Sequence, residues 1–299
     1  MRKQVNNESK PVGFACYIVD RGLLVCDWGI FATMGKQVKT TDFRGELIFL
    51  GTGTSVGVPA IGCGCEVCTS DNPKNKRFRA SIALGLPEGN LLIDTTPDLR
   101  MQLLRENIGV IDAVVFTHEH ADHVMGLDDL RLFPFYLGHP VPLYCEAYVE
   151  ERIRKSFDYA FNDHPASHPG AIPQLEFRAI QPGGFSVLGA EIIGFRLLHG
   201  AFKVMGFRIG NIAYCTDTNR IPDETMPLLQ GLEVLVLDAL RKKPHATHFC
   251  VEESLAVIEQ LKPKRALLTH ISHDLEHVQT EADLPEGVGL AYDGLRLSL

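Results

Sequence analysis

The chain has 299 residues, of which 45% are hydrophobic and 22% charged, and its formal net charge at pH 7 is −8. This length and composition suit one large globular domain or two smaller ones with a full apolar core. The acidic balance argues against broad, charge-driven nucleic-acid binding. The sequence contains no run of 18 apolar residues, so it predicts no membrane span.

Residues 1–44 differ from the rest of the chain and carry no predicted chemistry. Phe14–Val19 and Leu23–Trp28 are apolar runs that predict a short hairpin. A loosely attached extension and a true start at Met34 are the alternatives. Charged residues interrupt the apolar stretch 13–30, which therefore does not resemble a secretory signal, and we expect a cytoplasmic protein.

The first clear strand, Leu47–Leu50, runs into the glycine-rich segment Gly51–Pro59. Such a segment either lets the backbone approach a ligand or forms a tight turn, and no helix pattern follows that would indicate dinucleotide binding. Cys63, Cys65 and Cys68 come next, with C-x-C-x-x-C spacing. In a cytoplasmic enzyme this spacing favours a metal site over disulfides or a merely buried thiol cluster.

A basic stretch, Lys74–Arg79, follows the cysteines. A solvated face is its expected role, with Arg77 or Arg79 as a candidate contact for a phosphate. Further on, Asp94 stands at the end of the strand Asn90–Ile93. A carboxylate in that position is a candidate acceptor for the ring N–H of a metal-binding histidine.

The strand Ile111–Phe116 leads into a segment in which four of seven residues can bind a metal: His118, His120, Asp122 and His123. Residues i and i+2 of an extended segment lie on the same side, so His118 and His120 can bind one ion. Asp122 and His123, where the chain turns into a helix, point towards a second ion. Imidazole with carboxylate suits Zn, Mn or Fe rather than Ca or Mg. The alternative, a surface loop rich in histidine, rarely follows a buried strand.

The rest of the chain predicts strands and helices in two similar halves. The predicted helices are Leu99–Glu106, Leu127–Arg131, Glu146–Phe157 and Val251–Leu261. The further predicted strands are Ala80–Leu86, Val141–Cys145, Leu175–Ile180, Phe185–Val187, Glu191–Leu197, Lys203–Arg208, Ile212–Thr216, Leu232–Leu237 and Arg265–Leu268. The aromatic, proline-rich segment 157–172 is expected to be a lid or substrate wall, with His164 and His168 as loop histidines.

Three strand ends each deliver one more donor: His199, Asp217 and His270. Singly, each is more often a hydrogen-bonded polar residue than a metal ligand. His273 follows His270 by three residues and could complete a tetrahedral Cys₃His zinc site with the cysteine loop.

The H-x-H-x-D-H pattern of residues 118–123 resembles that of the metallo-β-lactamase-fold hydrolases. With the glycine-rich segment, the cysteine loop and Thr269–His273, the chain resembles the phosphoribosyl cyclic phosphate phosphodiesterase (PhnP-like) branch, which is related to tRNase Z. The resemblance runs from about Leu47 to the C-terminus. It implies an α/β fold, an αββα sandwich, with residues 1–44 as an extension and residues 45–299 as the hydrolase domain.

The resemblance also implies two divalent metals, Zn or Mn, bridged by a hydroxide that acts as the nucleophile. One metal would be held by His118, His120 and His199, the other by Asp122, His123 and His270, and both by Asp217. A separate structural zinc would be held by Cys63, Cys65, Cys68 and His273.

The proton for the leaving alkoxide would come from a histidine that the phosphodiesterase relatives place just before the penultimate helix. His248 fits that position better than His245, although a plain helix-start residue is the alternative. Asp238 would orient His248 and raise its pKa. His248, Asp238 and the ligand Asp122 form the expected catalytic set. Arg241–Lys243 precede the acid, and we expect them to be a solvated face rather than a substrate contact.

The expected function is hydrolysis of a small phosphodiester such as a cyclic ribose phosphate. A tRNase Z-like endonuclease is the main alternative, but no Gly/Lys-rich basic arm is visible. A thioester or lactam hydrolase, a non-hydrolytic carrier like the pyrroloquinoline-quinone synthesis relative, and a structural zinc protein are less favoured. We expect no extended nucleic-acid surface and no membrane partner. Dimers are common in the relatives, and a homodimer is therefore an open alternative to a monomer.

Overall fold

The computed structural model describes residues 16–19, 23–26, 39–162, 168 and 170–299. The chain divides into two units, Met1–Gln37 and Val38–Leu299. In the first, β1 (Cys16–Val19) pairs antiparallel with β2 (Leu23–Cys26), which confirms the predicted hairpin. In the second, Phe43 is buried in the core, so that unit begins before the predicted start at residue 45.

The strands of the second unit follow in chain order. They are β3 (Glu46–Gly51), β4 (Ser81–Leu86), β5 (Gly89–Ile93), β6 (Ala113–Val115), β7 (Val141–Cys145), β8 (Leu175–Ala179), β9 (Gly183–Val187), β10 (Ala190–His199), β11 (Phe202–Ile209), β12 (Ile212–Cys215), β13 (Val234–Asp238), β14 (Arg265–Thr269), β15 (Val288–Leu290) and β16 (Arg296–Ser298). The predicted strands are all present, with ends moved by a few residues.

The α-helices lie between the strands. They are α1 (Glu66–Thr69), α2 (Leu99–Glu106), α3 (Ala121–Val124), α4 (Pro134–Leu137), α5 (Ala147–Ser156), α6 (Asp158–Phe161), α7 (Val251–Leu261) and α8 (His277–Asp283). The helix predicted after the histidine motif is a 3₁₀ helix, Leu127–Leu132. Among the described residues, no helix has the length and apolarity that crossing a membrane requires.

The strands form two seven-stranded sheets of similar design. The first has the order β16-β3-β4-β5-β6-β7-β8 and the second the order β15-β14-β13-β12-β11-β10-β9. Each sheet joins a run of parallel strands, β5 to β8 or β12 to β15, to antiparallel neighbours. The two halves predicted from the sequence are thus two mixed sheets. Among the described strands, only β16 crosses over to join the half formed earlier in the chain.

The apolar side chains divide into layers that fix the architecture. One core lies between the sheets and includes Phe49 and Ile82 from the first sheet and Phe207 and Tyr214 from the second. A second core packs the outer face of the first sheet against α2 and α5, and a third packs the second sheet against α7. Helix, sheet, sheet and helix follow one another, and the predicted αββα sandwich is confirmed.

The glycine-rich segment packs against its own chain. A Cβ on Gly51 would stand 1.9 Å from the carbonyl oxygen of Arg79, so only glycine allows this approach. Gly57 adopts a φ of +67°, as a tight turn requires. Of the two interpretations of this segment, the structure supports the turn.

The parallel strands of both sheets end at one edge of the sandwich. Asp94 directly follows β5, Thr117 lies two residues after the end of β6, and Asp217 and His270 closely follow β12 and β14. Ligand sites in such sheets lie outside the carboxyl ends of the strands. The predicted lid carries α6, and the predicted loop residue His164 lies outside the described residues.

Candidate metal centre and active site

Asp217 lies at the centre of a histidine cluster at this edge. Its Oδ2 is 3.2 Å from His123 Nε2, 3.3 Å from His270 Nε2 and 3.9 Å from His118 Nε2. Asp217 is only 2% exposed. A carboxylate with histidine nitrogens on several sides is placed to be shared between two cations.

Asp122 completes the group expected around one of the two ions. Its Oδ2 is 3.4 Å from His123 Nε2 and 3.9 Å from His270 Nε2. The donor atoms of Asp122, His123, Asp217 and His270 all lie within 4.8 Å of one another. The structure therefore brings together all four residues predicted for this ion.

The residues expected around the other ion also meet. The ring centroids of His118 and His120 are 4.5 Å apart, those of His120 and His199 are 5.2 Å apart, and those of His118 and His199 are 5.9 Å apart. The three rings form a triangle next to Asp217. Alternation along the extended segment places the first two on one side, as expected.

Asp94 orients two of the histidines from behind. Its Oδ1 accepts a hydrogen bond from the Thr117 backbone N–H, and its Oδ2 accepts one from Thr117 Oγ1, each 2.8 Å long. His123 Nδ1 lies 2.8 Å from the same Oδ2, and His118 Nδ1 lies 2.9 Å from Thr117 Oγ1. Both Nδ1 atoms are thereby engaged, and both Nε2 atoms are directed into the cluster.

His199 is held by a different neighbour. Its Nδ1 donates to the backbone carbonyl of Thr247 over 2.7 Å. Asn219 braces the same contact, because its Oδ1 accepts from the Gly200 N–H and its Nδ2 donates to the Ala246 carbonyl. Neither Thr117 nor Asn219 belongs to a sequence motif that predicts this role, although each lies within two residues of a predicted ligand.

The buried nitrogens at the centre of the cluster test whether metal ions fit. His118 Nε2, His123 Nε2 and both ring nitrogens of His270 are buried and have no hydrogen-bond partner among the residues that the structure describes. Buried polar atoms are nearly always satisfied, so these nitrogens are suited to a cationic partner. Imidazoles combined with carboxylates are the donor set of Zn, Mn and Fe. Divalent transition metals therefore fit the site.

The electrostatics suit metal binding. Burial lowers the pKa of His118 well below its usual value and is the main cause that lowers the pKa of His199 to about 4. Both rings are therefore neutral at pH 7, the form that can donate a lone pair. Burial alone would raise the pKa of Asp217, but the charges of His123 and His270 outweigh it and keep that pKa well below its usual value.

His248 lies beside the cluster and is backed by a carboxylate. Its Nδ1 is 2.7 Å from Asp238 Oδ2, which also accepts the backbone N–H of Thr218. Its ring centroid is 4.4 Å from that of His199 and 4.5 Å from that of His270. His245, the rejected alternative, is one ring further out, with its centroid 5.3 Å from that of His248.

A second donor cluster joins the cysteine loop to the segment after β14. His273 Nδ1 is 3.2 Å from Cys63 Sγ, 3.5 Å from Cys65 Sγ and 3.4 Å from Cys68 Sγ. Standard Zn–S and Zn–N bond lengths in a tetrahedron place S and N about 3.5 Å apart. A hydrogen bond from the Cys68 backbone is the main cause that lowers the pKa of Cys65 to about 6, which favours the thiolate. The geometry fits zinc.

The basic stretch contributes nothing to the centre. Arg77, only 2% exposed, donates to Thr52 Oγ1 and to the Ala291 carbonyl, and its Nη2 is 3.0 Å from His277 Nδ1. Arg79 forms a salt bridge with Asp98. Both guanidinium groups are engaged within the fold, and Arg77 is also buried, so the structure gives no support to a phosphate contact at Arg77. A phosphate contact of the partly exposed Arg79 stays a prediction.

Three residues at strand ends have a strained backbone. Asp94, Asp217 and His270 have φ values of +67°, +52° and +58°. Non-glycine residues rarely adopt this region, and each such residue costs about 1–3 kcal/mol. Such conformations concentrate at functional sites, which agrees with the position of these residues in the cluster.

Comparison with known proteins places the chain in a family. The family described as "Beta-lactamase superfamily domain" matches residues 89–271. A solved diphosphatase of the PhnP family is 44% identical, with a TM-score of 0.80 over 86% of this chain and 98% of that one. Zn(2+)-bound PqqB from Methylobacterium extorquens, at 20% identity and a TM-score of 0.67 over 85% of this chain and 100% of that one, shares the fold.

Curated relatives carry other names. An octanoyltransferase of Porphyromonas gingivalis is 36% identical over 255 residues, or 83% of this chain and 50% of that protein. The chain spans about half the length of the first curated relatives that it matches. The octanoyltransferase name belongs to a longer protein and is therefore not assigned to this chain.

Proposed function

The chain belongs to the PhnP family of the β-lactamase superfamily, and on that basis we propose that it is a metal-dependent phosphodiesterase acting on a small phosphodiester such as a cyclic ribose phosphate. The observation that carries the proposal is the central position of Asp217 among histidine nitrogens that have no other partner in the described part of the chain. The solved relative of 44% identity is a diphosphatase of the PhnP family, which supports this class of reaction.

Two metal sites share Asp217 in this proposal. One is formed by His118, His120 and His199 and the other by Asp122, His123 and His270. When bound, a pair of divalent metals supplies Lewis-acid stabilisation of the phosphate charge and a water of lowered pKa. The structural zinc is assigned to Cys63, Cys65, Cys68 and His273.

His248 is the proposed acid. Because Nδ1 faces Asp238, Nε2 is the nitrogen left to hold the proton that the leaving alkoxide needs. Burial raises the pKa of Asp238, an effect that the neighbouring His248 opposes. Asp238 fixes the ring through its contact with Nδ1.

His248 as a metal ligand is the competing role. Donor atoms of His199, Asp217 and His248 also lie within 4.8 Å of one another. The two roles differ in what a His248→Gln variant does. Loss of an acid lowers the rate with the metal content unchanged, whereas loss of a ligand lowers the metal content too.

A small substrate agrees with the charge of the chain. A net charge of −8 opposes a long polyanion such as tRNA, whose binding depends on many basic contacts. In the basic segment Arg241–Lys243, two side chains already have partners within the fold. Arg241 donates to the carbonyls of Lys243 and Pro244, and Lys242 forms a salt bridge with Asp283.

The test combines metal analysis with hydrolysis assays. The wild type should bind about three metals per chain and hydrolyse bis-p-nitrophenyl phosphate and a ribose cyclic phosphate, with octanoyl thioester as a negative control. Asp217→Asn should lose metal and activity, and His248→Gln should lose activity alone. His139→Gln, a substitution of an exposed histidine, is the matched control. One metal per chain and no turnover of either ester would refute the phosphodiesterase assignment.

A further inference from the structure

A half-open pocket of about 780 Å³ lies behind His199, and neither the metal sites nor the acid lines it. Its polar wall carries Arg196, Lys203, Arg220, Asp223 and Glu224. Its apolar wall is formed by Pro182, Leu198, Ile221 and Pro222. Small-molecule pockets have volumes of roughly 300–1,000 Å³, so the space suits a ligand of nucleotide size.

The pocket faces away from the metal centre. Leu198 and His199 are neighbours in β10 and therefore point to opposite sides of the sheet. Lys203 lies directly opposite Leu198 in β11 and so shares its side. A ligand held by Lys203 is separated from the metals by the β10–β11 hairpin, which makes this a second site and not an extension of the first.

The charged groups of the pocket differ in how they are satisfied. Arg196 is paired with Glu146 through two hydrogen bonds of 2.6 and 2.8 Å and is therefore part of the wall. The side chains of Lys203 and Arg220 make no hydrogen bond or salt bridge within the described residues. Two cations without a partner that line one cavity are suited to a phosphate group.

The remaining lining supplies what the rest of a nucleotide requires. The carboxylates of Asp223 and Glu224 can accept hydrogen bonds from ribose hydroxyls, and the side chains of Leu198, Ile221 and the two prolines can cover a base. From this arrangement we propose that the pocket binds a nucleoside monophosphate, with the phosphate between Lys203 and Arg220.

The pocket also touches the elements that carry the centre. The Leu198 N–H donates to the Arg220 carbonyl and the Asn219 N–H donates to the Leu198 carbonyl, each at 3.0 Å. A ligand that bridges Lys203 and Arg220 therefore fastens the hairpin bearing His199 to the segment that follows Asp217. By linkage, that ligand and the metals strengthen or weaken each other's binding.

The test measures binding of AMP, a monoester, by calorimetry on the full chain. The Asp217→Asn variant is used as the background, because its disabled metal centre removes competing phosphate binding. AMP should bind with a stoichiometry of one, adenosine should bind more weakly, and Lys203→Gln and Arg220→Gln should each weaken AMP by about tenfold. Lys155→Gln, a substitution of an exposed lysine outside the pocket, should leave AMP binding unchanged.

Variants that keep the positive charge distinguish a specific loss of AMP binding from a loss caused by misfolding. Lys203→Arg and Arg220→Lys should keep most of the affinity, and all variants should melt within a few degrees of their background. Equal AMP binding by the Lys203→Gln/Arg220→Gln double variant would overturn the proposal. So would the absence of AMP binding at about 1 mM both in the Asp217→Asn background and in the metal-loaded wild type. Either result leaves the phosphodiesterase assignment untouched, since that assignment is tested on esters and metals.

Discussion

Asp94 decides which nitrogen of two histidines faces the metals, and Asp94→Asn tests this directly. The Asn Oδ1 must stay where it accepts the Thr117 backbone N–H, since only an oxygen can accept that bond. The new NH₂ group then replaces Oδ2 and must donate. It meets Thr117 Oγ1 and His123 Nδ1, which in the wild type both donate to a carboxylate.

One substitution should therefore reverse two rings. His123 can accept from the new NH₂ group only through an unprotonated Nδ1, which moves its proton to Nε2. Thr117 Oγ1, now an acceptor from the NH₂ group, turns its hydrogen towards His118 Nδ1 and moves that ring's proton to Nε2 as well. In both cases a protonated Nε2 faces the place where a metal would bind, and it has no lone pair to donate.

The expected loss follows from these two rings. Removing one hydrogen-bond partner behind a ligand histidine typically costs 10–100-fold in metal affinity. Because Asp94→Asn affects one histidine of each proposed site, we expect about 100-fold, or about 2.7 kcal/mol. Chelator competition should measure the affinity, and kcat/KM on bis-p-nitrophenyl phosphate should fall with it. The ¹⁵N shifts of the histidine rings should report the tautomers.

Asp293→Asn is the matched control. Asp293 accepts from the Thr52 backbone N–H and hydroxyl, from the Phe78 N–H and from Arg105, so it is another carboxylate with backbone, hydroxyl and cationic donors. Its substitution should lower the melting temperature without changing metal affinity. If Asp94→Asn bound metal as tightly as the wild type, or if both variants lost metal equally, the tautomer reasoning would be wrong.

Three further predictions concern the zinc cluster, stability against pH and the His199 turn. Cys65→Ala and His273→Gln should each remove one zinc per chain and lower the melting temperature. Cys145→Ser, a substitution outside the cluster, should leave the zinc content unchanged. An unchanged zinc count in the first two variants would contradict the assignment. Burial, aided by the charge of Arg77, lowers the pKa of His277 to about 4, compared with about 6.5 in the unfolded chain. The contribution of His277 to stability is therefore fully present above pH 6.5 and is lost as the pH falls. Between pH 6.5 and 5.5, urea melts should show the wild type losing about 1 kcal/mol more than His277→Gln, and equal losses would refute the buried-histidine explanation. Asn219→Ala removes the two hydrogen bonds that join the Gly200 turn to the Ala246 carbonyl. We expect kcat/KM to fall about tenfold at an unchanged melting temperature. Unchanged kinetics would show that the turn keeps its position without Asn219.

The fold was predictable where the pattern is local. Val251–Leu261 and Leu99–Glu106 are helices with the predicted bounds, because each carries its own periodicity and termination signals. The short strands β15 and β16 and the helix α8 escaped prediction. β16 has three residues and exists because it pairs with β3, a partner some 250 positions away in the chain, and no local pattern can announce such a pairing.

Arg77 shows the same limit on the side-chain level. A basic run is normally solvated, and arginine is seldom fully buried. Here the neighbours of Arg77 in the chain are partly exposed, and only the approach of Thr52, Ala291 and His277 from distant segments encloses it. The sequence shows the residue but not the three partners that make its burial possible.

The sequence pattern predicts which residues are the proposed ligands, but it does not predict how their side chains are oriented. His118, His199 and Asp217 each end or closely follow an apolar strand, and strands that run in the same direction bring their carboxyl ends to one edge of a sheet. Which ring nitrogen faces that edge depends on Thr117 and on the Thr247 carbonyl. A threonine hydroxyl and a backbone carbonyl have no spacing rule, so the sequence predicts which residues gather, whereas the packed fold determines how they present their donor atoms.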